Sequence, residues 1–467
     1  MSDLESRLRA ARPVPPLSPQ ADERAREVFR ARLAGPASTH RFPVFWRRRL
    51  VLVAVGILVF VAGAAAVVSS AGVLSGGTTR AGAGDVGALS ASGEVAVWSE
   101  RRAEGSVVVA AHRTPSGQWS AGQVLGGGSS PAVAGLGGGS VVAVWASAAG
   151  VQSSRFDGAS WSAPAMISGS AAGKTIKLRL AYGASGALVA AWEAVGVPQR
   201  ALVATYAAGR WSPASELPRP PGASNFAPLV AQSGDGTTVA VWQSLSPRGS
   251  AVLTSVRTAA GWATPHTLST AQSAGEAAAS FDQRGRAFAV WQQRDGRNGS
   301  ATMVSRWMLD RGWSAPRRVS RPGGLGLTPK VAGLGSGALV AWVSAGHAWT
   351  DPNYVEVATV DSEGRPSTPT RASGGSIPGI TLAVTASPDD RAAVVWTRRP
   401  SKGDSVVEAA FIDGDGTVGT PLPIPSRGFA LYPSASFTAA EELLVLWTKA
   451  SPAPSSVMTA ALRLSGG

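Results

Sequence analysis

The sequence predicts an all-β fold: a β-propeller of about eight four-stranded blades, seven being the alternative count, preceded by one transmembrane helix and a short helical cytoplasmic tail. Three observations predict it. Eight short apolar strands end in Trp, at Trp98, Trp145, Trp192, Trp242, Trp291, Trp342, Trp396 and Trp447, and these stand 47, 47, 50, 49, 51, 54 and 51 residues apart. A second landmark, G-x-W-S or a close variant, follows five of them, at Trp119, Trp161, Trp211, Trp262 and Trp313. An uncharged run precedes the first repeat, from residue 50 to residue 79.

A period near fifty residues is the mark of a repeat architecture. In the next two repeats Pro366 and Val418 take the second Trp slot, while Ser367-Thr368-Pro369 and Gly419-Thr420-Pro421 keep the frame. The two slots hold thirteen of the sixteen Trp, which excludes scattered use. Repeat four shows the four strands: Pro228 to Ala231, a turn at Ser233-Gly234-Asp235-Gly236, Thr238 to Trp242, Val252 to Arg257, a turn at Gly261, and Trp262 to Leu268. Gly and Asp suit these turns because they tolerate positive φ. The V-A-V-W strands are apolar at successive positions, so both of their faces are expected to be covered. Twisted sheets packed face to face around a ring meet that requirement, and a solenoid of strands is the alternative. The eighth repeat has three strands, ending with Val457 to Leu464. Either that blade is short, or residues near 75–84 supply its outer strand, although SGGTTRAGAG is poor in strand formers.

Residues 50–74 read as the membrane span. At about 1.5 Å per residue the run reaches roughly 37 Å, enough for a hydrocarbon core of about 30 Å. Arg47, Arg48 and Arg49 abut one end, with Phe45 and Trp46 as interfacial aromatics. Positive charge stays inside, so the tail is expected in the cytoplasm and the repeats outside it. A cleaved signal peptide would need an n-region of nearly fifty residues. The expected organisation is a basic cytoplasmic tail at 1–49, a span at 50–74 anchored in membrane lipid, a Gly-rich linker at 75–84 and an extracytoplasmic propeller at 85–467. The tail reads as two short amphipathic helices separated by Pro13-Val14-Pro15-Pro16, the second carrying Ala25, Val28, Phe29 and Leu33 on one stripe. A helical tail before a single span resembles bacterial membrane-tethered anti-sigma regulators, without the His and Cys of their zinc-binding members. That resemblance implies a transmembrane regulator as one alternative function.

Composition narrows the chemistry. With no Cys, disulfides, thiolate metal sites and Cys nucleophiles are excluded. The four His, at 40, 112, 266 and 347, are isolated, and no pair has metal-ligand spacing. Asp413-x-Asp415-Gly416 opens like a calcium loop but lacks the later acidic ligands, so it reads as a hairpin turn. Neither a cofactor nor a metal is expected.

Asp157-Gly158-Ala159-Ser160-Trp161, Asp310-Arg311-Gly312-Trp313 and Asp413-Gly414-Asp415-Gly416 stand where the third strand turns into the fourth. In these turns the repeat resembles the sialidase-like propellers built from BNR (Asp-box) repeats, with irregular spacing and no complete box. The resemblance implies, as an alternative, a glycoside hydrolase with a Tyr nucleophile polarised by Glu. Tyr182, Tyr206, Tyr354 and Tyr432 lack a recognisable Glu partner, and Glu100 and Glu193, the acids nearest the axis, lie two repeats apart. A non-enzymatic binding or scaffold module is therefore favoured.

Its candidate ligand residues are the arginines of the loops joining second to third strands, on one face of the ring: Arg101, Arg102, Arg200, Arg248, Arg294, Arg297, Arg398 and Arg399. Arg binds carboxylate or phosphate through a fixed fork of donors. Acidic glycans, wall polymers or a protein are the expected partners outside a cell, and nucleic acid is not.

Overall fold

In a computed structural model of the chain, residues 72–74 and 78–464 are described, apart from 84, 170–173, 183–186, 259–260, 271–272, 298, 347–351, 375–380, 399–403, 427, 440–441 and 451–454. The expected cytoplasmic helices at 1–49 and all but the end of the expected span lie outside the described residues. The described residues contain strands, turns and loops and no helix, so none long and apolar enough to cross a membrane.

They form eight antiparallel units in chain order. Sheet four keeps the predicted frame, with strands Ser224–Gln232, Thr238–Ser246, Gly249–Thr258 and a fourth split into Gly261–Trp262 and His266–Thr267. Pro265 causes the split, because it has no N–H to give the ladder. Pro213 and Pro316 divide the fourth strands of sheets three and five in the same way. One parallel pairing, Ser300 with Leu325, links sheets five and six.

The landmark Trp of each second strand lies inside that strand, which runs on past it, and is at most 1% exposed. Eight apolar clusters account for this, each drawn from two successive sheets. Ala240 and Trp242 face sheet three, beside Val203 and Leu217, while Val239 and Val241 face sheet five, beside Trp291. Successive residues of one strand thus enter two different cores, which is why V-A-V-W does not alternate. The eighth cluster joins the ends of the chain: Leu444, Leu446 and Val457 of sheet eight meet Ala96, Trp98 and Val109 of sheet one. The first strand of each sheet lies against that of the next, and those of sheets eight and one also touch.

The second landmark has its own cause. The Ser of W-S, at 120, 162, 212 and 314, and Ser367 in the same frame, accept a hydrogen bond from the third-strand amide across the turn, at 3.0–3.1 Å. The half-buried Trp beside them closes on neighbours: the Trp211 Nε1 donates to Ser153 Oγ and the Trp119 Nε1 to Thr459 Oγ1, each at 3.0 Å.

Sheet eight takes in residues that precede the first repeat. Thr79–Ala83, within the segment read as linker, is a strand paired with Ser456–Leu464, and Gly72–Leu74, at the end of the apolar run, pairs further along the same strand. The unpaired edge of Ser456–Leu464 supplies the driving force. Gly82, which lowers strand propensity, has a packing role: a Cβ there would lie 2.4 Å from Trp98 Cζ2.

Candidate ligand-binding face

First strands carry a repeated irregularity. In six sheets a bulge sets two residues opposite the buried Trp, and the earlier of the two has positive φ: Ser130, Lys177, Ala227, Glu276, Thr328 and Tyr432, at 46° to 54°. Non-Gly residues adopt this conformation at a cost, and such bulges re-aim side chains. In four sheets the second bulge residue is a proline, Pro131, Pro228, Pro329 or Pro433, placed where the ladder is already interrupted.

The bulges lie near the start of the first strands, at the end of each sheet where the second strand turns into the third. The predicted arginines occupy that same end. Arg101 and Arg102 close Val95–Arg102, Arg200 opens Arg200–Ala207, Arg248 and Arg297 stand in hairpin turns, Arg294 lies near the end of Ala287–Asp295, and Arg398 ends Ala392–Arg398. Arg399 lies outside the described residues. Two of the set are committed internally. Arg102 Nε is 2.9 Å from Glu100 Oε1, and Arg398 Nε is 2.7 Å from Glu408 Oε1, whose other oxygen accepts from the Trp396 indole at 2.8 Å.

Arg294 and Arg297 are brought together. Both are exposed, Arg294 Nη2 donates to the Arg297 carbonyl at 3.2 Å, and neither has an acidic partner among the described residues. They line a groove of about 430 Å³ over sheet five, with Gln243, Glu276 and Gln292 along its wall. The neighbouring Asp295 is taken by Arg318 at 2.7 Å.

Two cations of first strands are shifted in a way that the sequence reading did not anticipate. Glu276 of sheet five interacts electrostatically with Arg179 of sheet three and Lys330 of sheet six. Arg179 keeps solvent-accessible surface, yet the protein around it desolvates the guanidinium and pushes it below its ordinary value, against the pull of Glu276. Desolvation also pushes the Lys330 ammonium down, the Arg179 charge adds to this, and Glu276 opposes it.

The acids named from sequence have other duties. Glu193, 1% exposed, accepts from the Ala227 amide at 2.8 Å and from Gln199, with Lys177 Nζ 3.7 Å away, so it clamps sheet three to the bulge of sheet four. Glu100 holds Arg102. Asp415 accepts from the Thr417 amide at 2.8 Å within a hairpin turn. Of the tyrosines, Tyr206 packs on Trp211, Tyr354 lies under the Arg371 guanidinium, and Tyr432 is an exposed bulge residue. Among the described residues no three His, Asp or Glu side chains gather where they could hold a metal ion.

No family model and no curated protein matches the chain. Solved structures do. Polysaccharide lyase Uly1 is similar at 10% identity over 82% of this chain and 90% of its own, with a TM-score of 0.46. A puromycin hydrolase mutant matches at 17% identity over 78% of this chain and 58% of its own, with a TM-score of 0.46. A mutant Trypanosoma rangeli sialidase displaying trans-sialidase activity matches at 13% identity over 62% of this chain and 54% of its own, with a TM-score of 0.38. At TM-scores below 0.5, none of them is a guide to the chemistry of this chain.

Proposed function

We propose that residues 79–464 form a closed eight-bladed propeller, held outside the cytoplasm by the apolar run near 50–74, that binds acidic glycans or wall polymers without cleaving them. The unbroken succession of inter-sheet cores, returning from sheet eight to sheet one, supports the ring. One observation carries the function: Arg294 and Arg297 stand side by side over a groove with no acidic partner among the described residues. A guanidinium left exposed and unneutralised keeps its fork of donors for a carboxylate. Hydrolysis of a glycosidic bond takes two carboxylates about 5–10 Å apart, and among the described residues Glu276 is the one acid lining this groove. The alternative role as a transmembrane regulator concerns residues 1–49, outside the described part.

The test is binding of polygalacturonate to the full chain in lipid nanodiscs. Arg294→Ala with Arg297→Ala is expected to weaken binding at least tenfold and to flatten its salt dependence, whereas Arg102→Ala, already paired with Glu100, leaves it unchanged. Equal binding by all three proteins would refute the reading. Release of reducing ends or unsaturated uronate would establish an enzyme instead.

A further inference from the structure

We infer that the groove over sheet two is a second sugar subsite on the arginine-bearing face, taking a carboxylated sugar further along the polymer that Arg294 and Arg297 hold. This rests on the proposed function and names the ligand as a chain gripped at two points, rather than a single terminal sugar.

Register makes the two grooves counterparts. The sheet-two groove, about 820 Å³, runs from Ser106 of sheet one, past Gly128 and the Ser147–Gly150 hairpin of sheet two, to Lys174 and Thr175 of sheet three. Ser106 stands eight residues past Trp98, as Ser250 of the sheet-five groove stands eight past Trp242. Gly128 and Ala274 each stand seventeen residues before the Trp of their own sheet. The joint between these positions is repeated as well: the Gly128 amide donates to the Ser106 carbonyl at 2.8 Å, and the Ala274 amide to Ser250 Oγ at 3.1 Å. Each groove therefore lies where the first strand of one sheet begins beside the third strand of the sheet before it. Two differences open the sheet-two groove. Its hairpin turns sooner, Ser147 pairing with Gly150 where Asp295 pairs with Gly299, and Ala148 stands three residues past its Trp, the count that Arg294 occupies in sheet five. Its floor is closely built, since a Cβ on Gly128 would lie 2.4 Å from the Ala146 carbonyl oxygen.

The lining decides the ligand. Among the described residues it contains no large apolar side chain and no acid, so it gives no grip to an acyl chain or an aromatic anchor. Serine and threonine hydroxyls and the Gln152 amide supply donors and acceptors instead. Thr175 is 7% exposed, and its Oγ1 has no hydrogen-bond partner among the described residues. A buried hydroxyl without a partner is held at a cost, and a ligand hydroxyl at this wall would supply the partner. Lys174 is exposed, with no acidic partner among the described residues. Its ammonium is a point charge suited to one carboxylate. A sugar with one carboxylate among its hydroxyls meets both demands. The sheet-five groove offers such a group two guanidiniums and this groove a single ammonium, so this is the weaker of the two subsites.

The experiment is calorimetric titration of the full chain in nanodiscs with digalacturonate, its carboxyl-reduced counterpart and long polygalacturonate. The wild type is expected to bind two digalacturonates, and the Lys174→Glu protein and the Arg294→Ala, Arg297→Ala protein one each. Polygalacturonate should bind the wild type roughly a hundredfold more tightly than digalacturonate does, and Lys174→Glu should abolish that gain. Ala148→Arg, which supplies a guanidinium where sheet five has Arg294, should tighten the weaker site about threefold. Thermal unfolding serves as the fold control: Lys174 is exposed, so Lys174→Glu should melt with the wild type. One digalacturonate per wild-type chain, lost with Arg294 and Arg297 and kept in Lys174→Glu, would overturn the second subsite and leave the proposed function standing. Two sites that both survive Lys174→Glu would overturn it too. Equal binding of the carboxyl-reduced disaccharide would overturn the choice of an acidic sugar, and no binding of any probe would overturn both readings.

Discussion

Replacing Gly82 by Ala probes the seam between the two ends of the chain. Gly82 lies in the strand that completes sheet eight, with its backbone against the indole of Trp98 in sheet one. A Cβ there would come 2.4 Å from Cζ2 and 2.9 Å from Cε2, closer than carbon atoms approach, and Trp98 is 1% exposed with no room to retreat. Forcing a methyl into a packed interface of this kind costs about 1–3 kcal/mol. Gly127→Ala is the matched control, since a Cβ at Gly127 meets nothing within 4 Å. Trp98→Phe removes the offending ring at a cost of about 1–2 kcal/mol for the lost volume. It sacrifices no hydrogen bond, because the Trp98 Nε1 has no partner. The double variant should then lose about 1 kcal/mol less than the two single losses added together. Urea unfolding followed by fluorescence gives these values. A second readout uses the absence of Cys: Thr79 and Thr459 are register partners with hydroxyls 2.7 Å apart. A Thr79→Cys, Thr459→Cys pair should oxidise readily in the parent and slowly with Gly82→Ala. Additive losses, together with equal oxidation rates, would mean that the strand does not sit on Trp98.

Two further outcomes follow from local chemistry. Amide donors in the hairpin turns hold the Asp157 and Asp415 carboxyls below the ordinary carboxylate range, and the Ser233 hydroxyl with the Thr237 amide does so for Asp235. Folded values below unfolded ones mean that the unfolded chain takes up protons first, so this stabilisation is full above about pH 4 and lost as the pH falls through the folded values. The Asp157→Asn, Asp235→Asn, Asp415→Asn protein should therefore lose less melting temperature between pH 5 and pH 3 than the parent, and an unchanged slope would refute the assignment. Topology can be read with single cysteines in the otherwise Cys-free chain. A membrane-impermeant maleimide added to whole cells should label Ser116→Cys and spare Ser38→Cys, and the reverse pattern would invert the proposed orientation.

Much of the architecture was legible because one physical demand repeats. A strand covered on both faces must be apolar at successive positions, so E-V-A-V-W and its seven counterparts announce sheets packed between sheets. The W-S pair was visible as spacing, although its cause, a hydroxyl accepting the third-strand amide, needed coordinates. The closing strand was legible only as one of two readings of residues 75–84. Its propensity is low because Gly82 answers to Trp98, some sixteen residues on, and the strand as a whole answers to the open edge of another at the far end of the chain. Local preference cannot report a partner supplied from several hundred residues away.

The site divides along the same line. Arg294 and Arg297 could be found because hairpin loops are recognisable between periodic strands, but sequence could not say that Arg102 and Arg398 are occupied by Glu100 and Glu408. The first-strand charges left a signal that went unread. The positive-φ bulge residue stands fifteen positions before the Trp in five sheets and fourteen in sheet six, since the hairpin between them barely changes length. Counting back from each Trp therefore gives Ser130, Lys177, Ala227, Glu276, Thr328 and Tyr432, four of them followed by Pro. Such a count locates equivalent positions within each repeat. It cannot say that Arg179 and Lys330, 151 residues apart, come within electrostatic reach of each other and of Glu276. Bulges at matching places in six sheets hold their residues in a costly conformation, each opposite a buried Trp in register. A scaffold that repeats for stability thereby offers a set of equivalent positions near one end of its first strands, where the chain is free to vary charge without disturbing the core. Along those positions the repeats differ in charge, at Lys177, Arg179, Glu276 and Lys330, while they share the strand and the bulge that carry them.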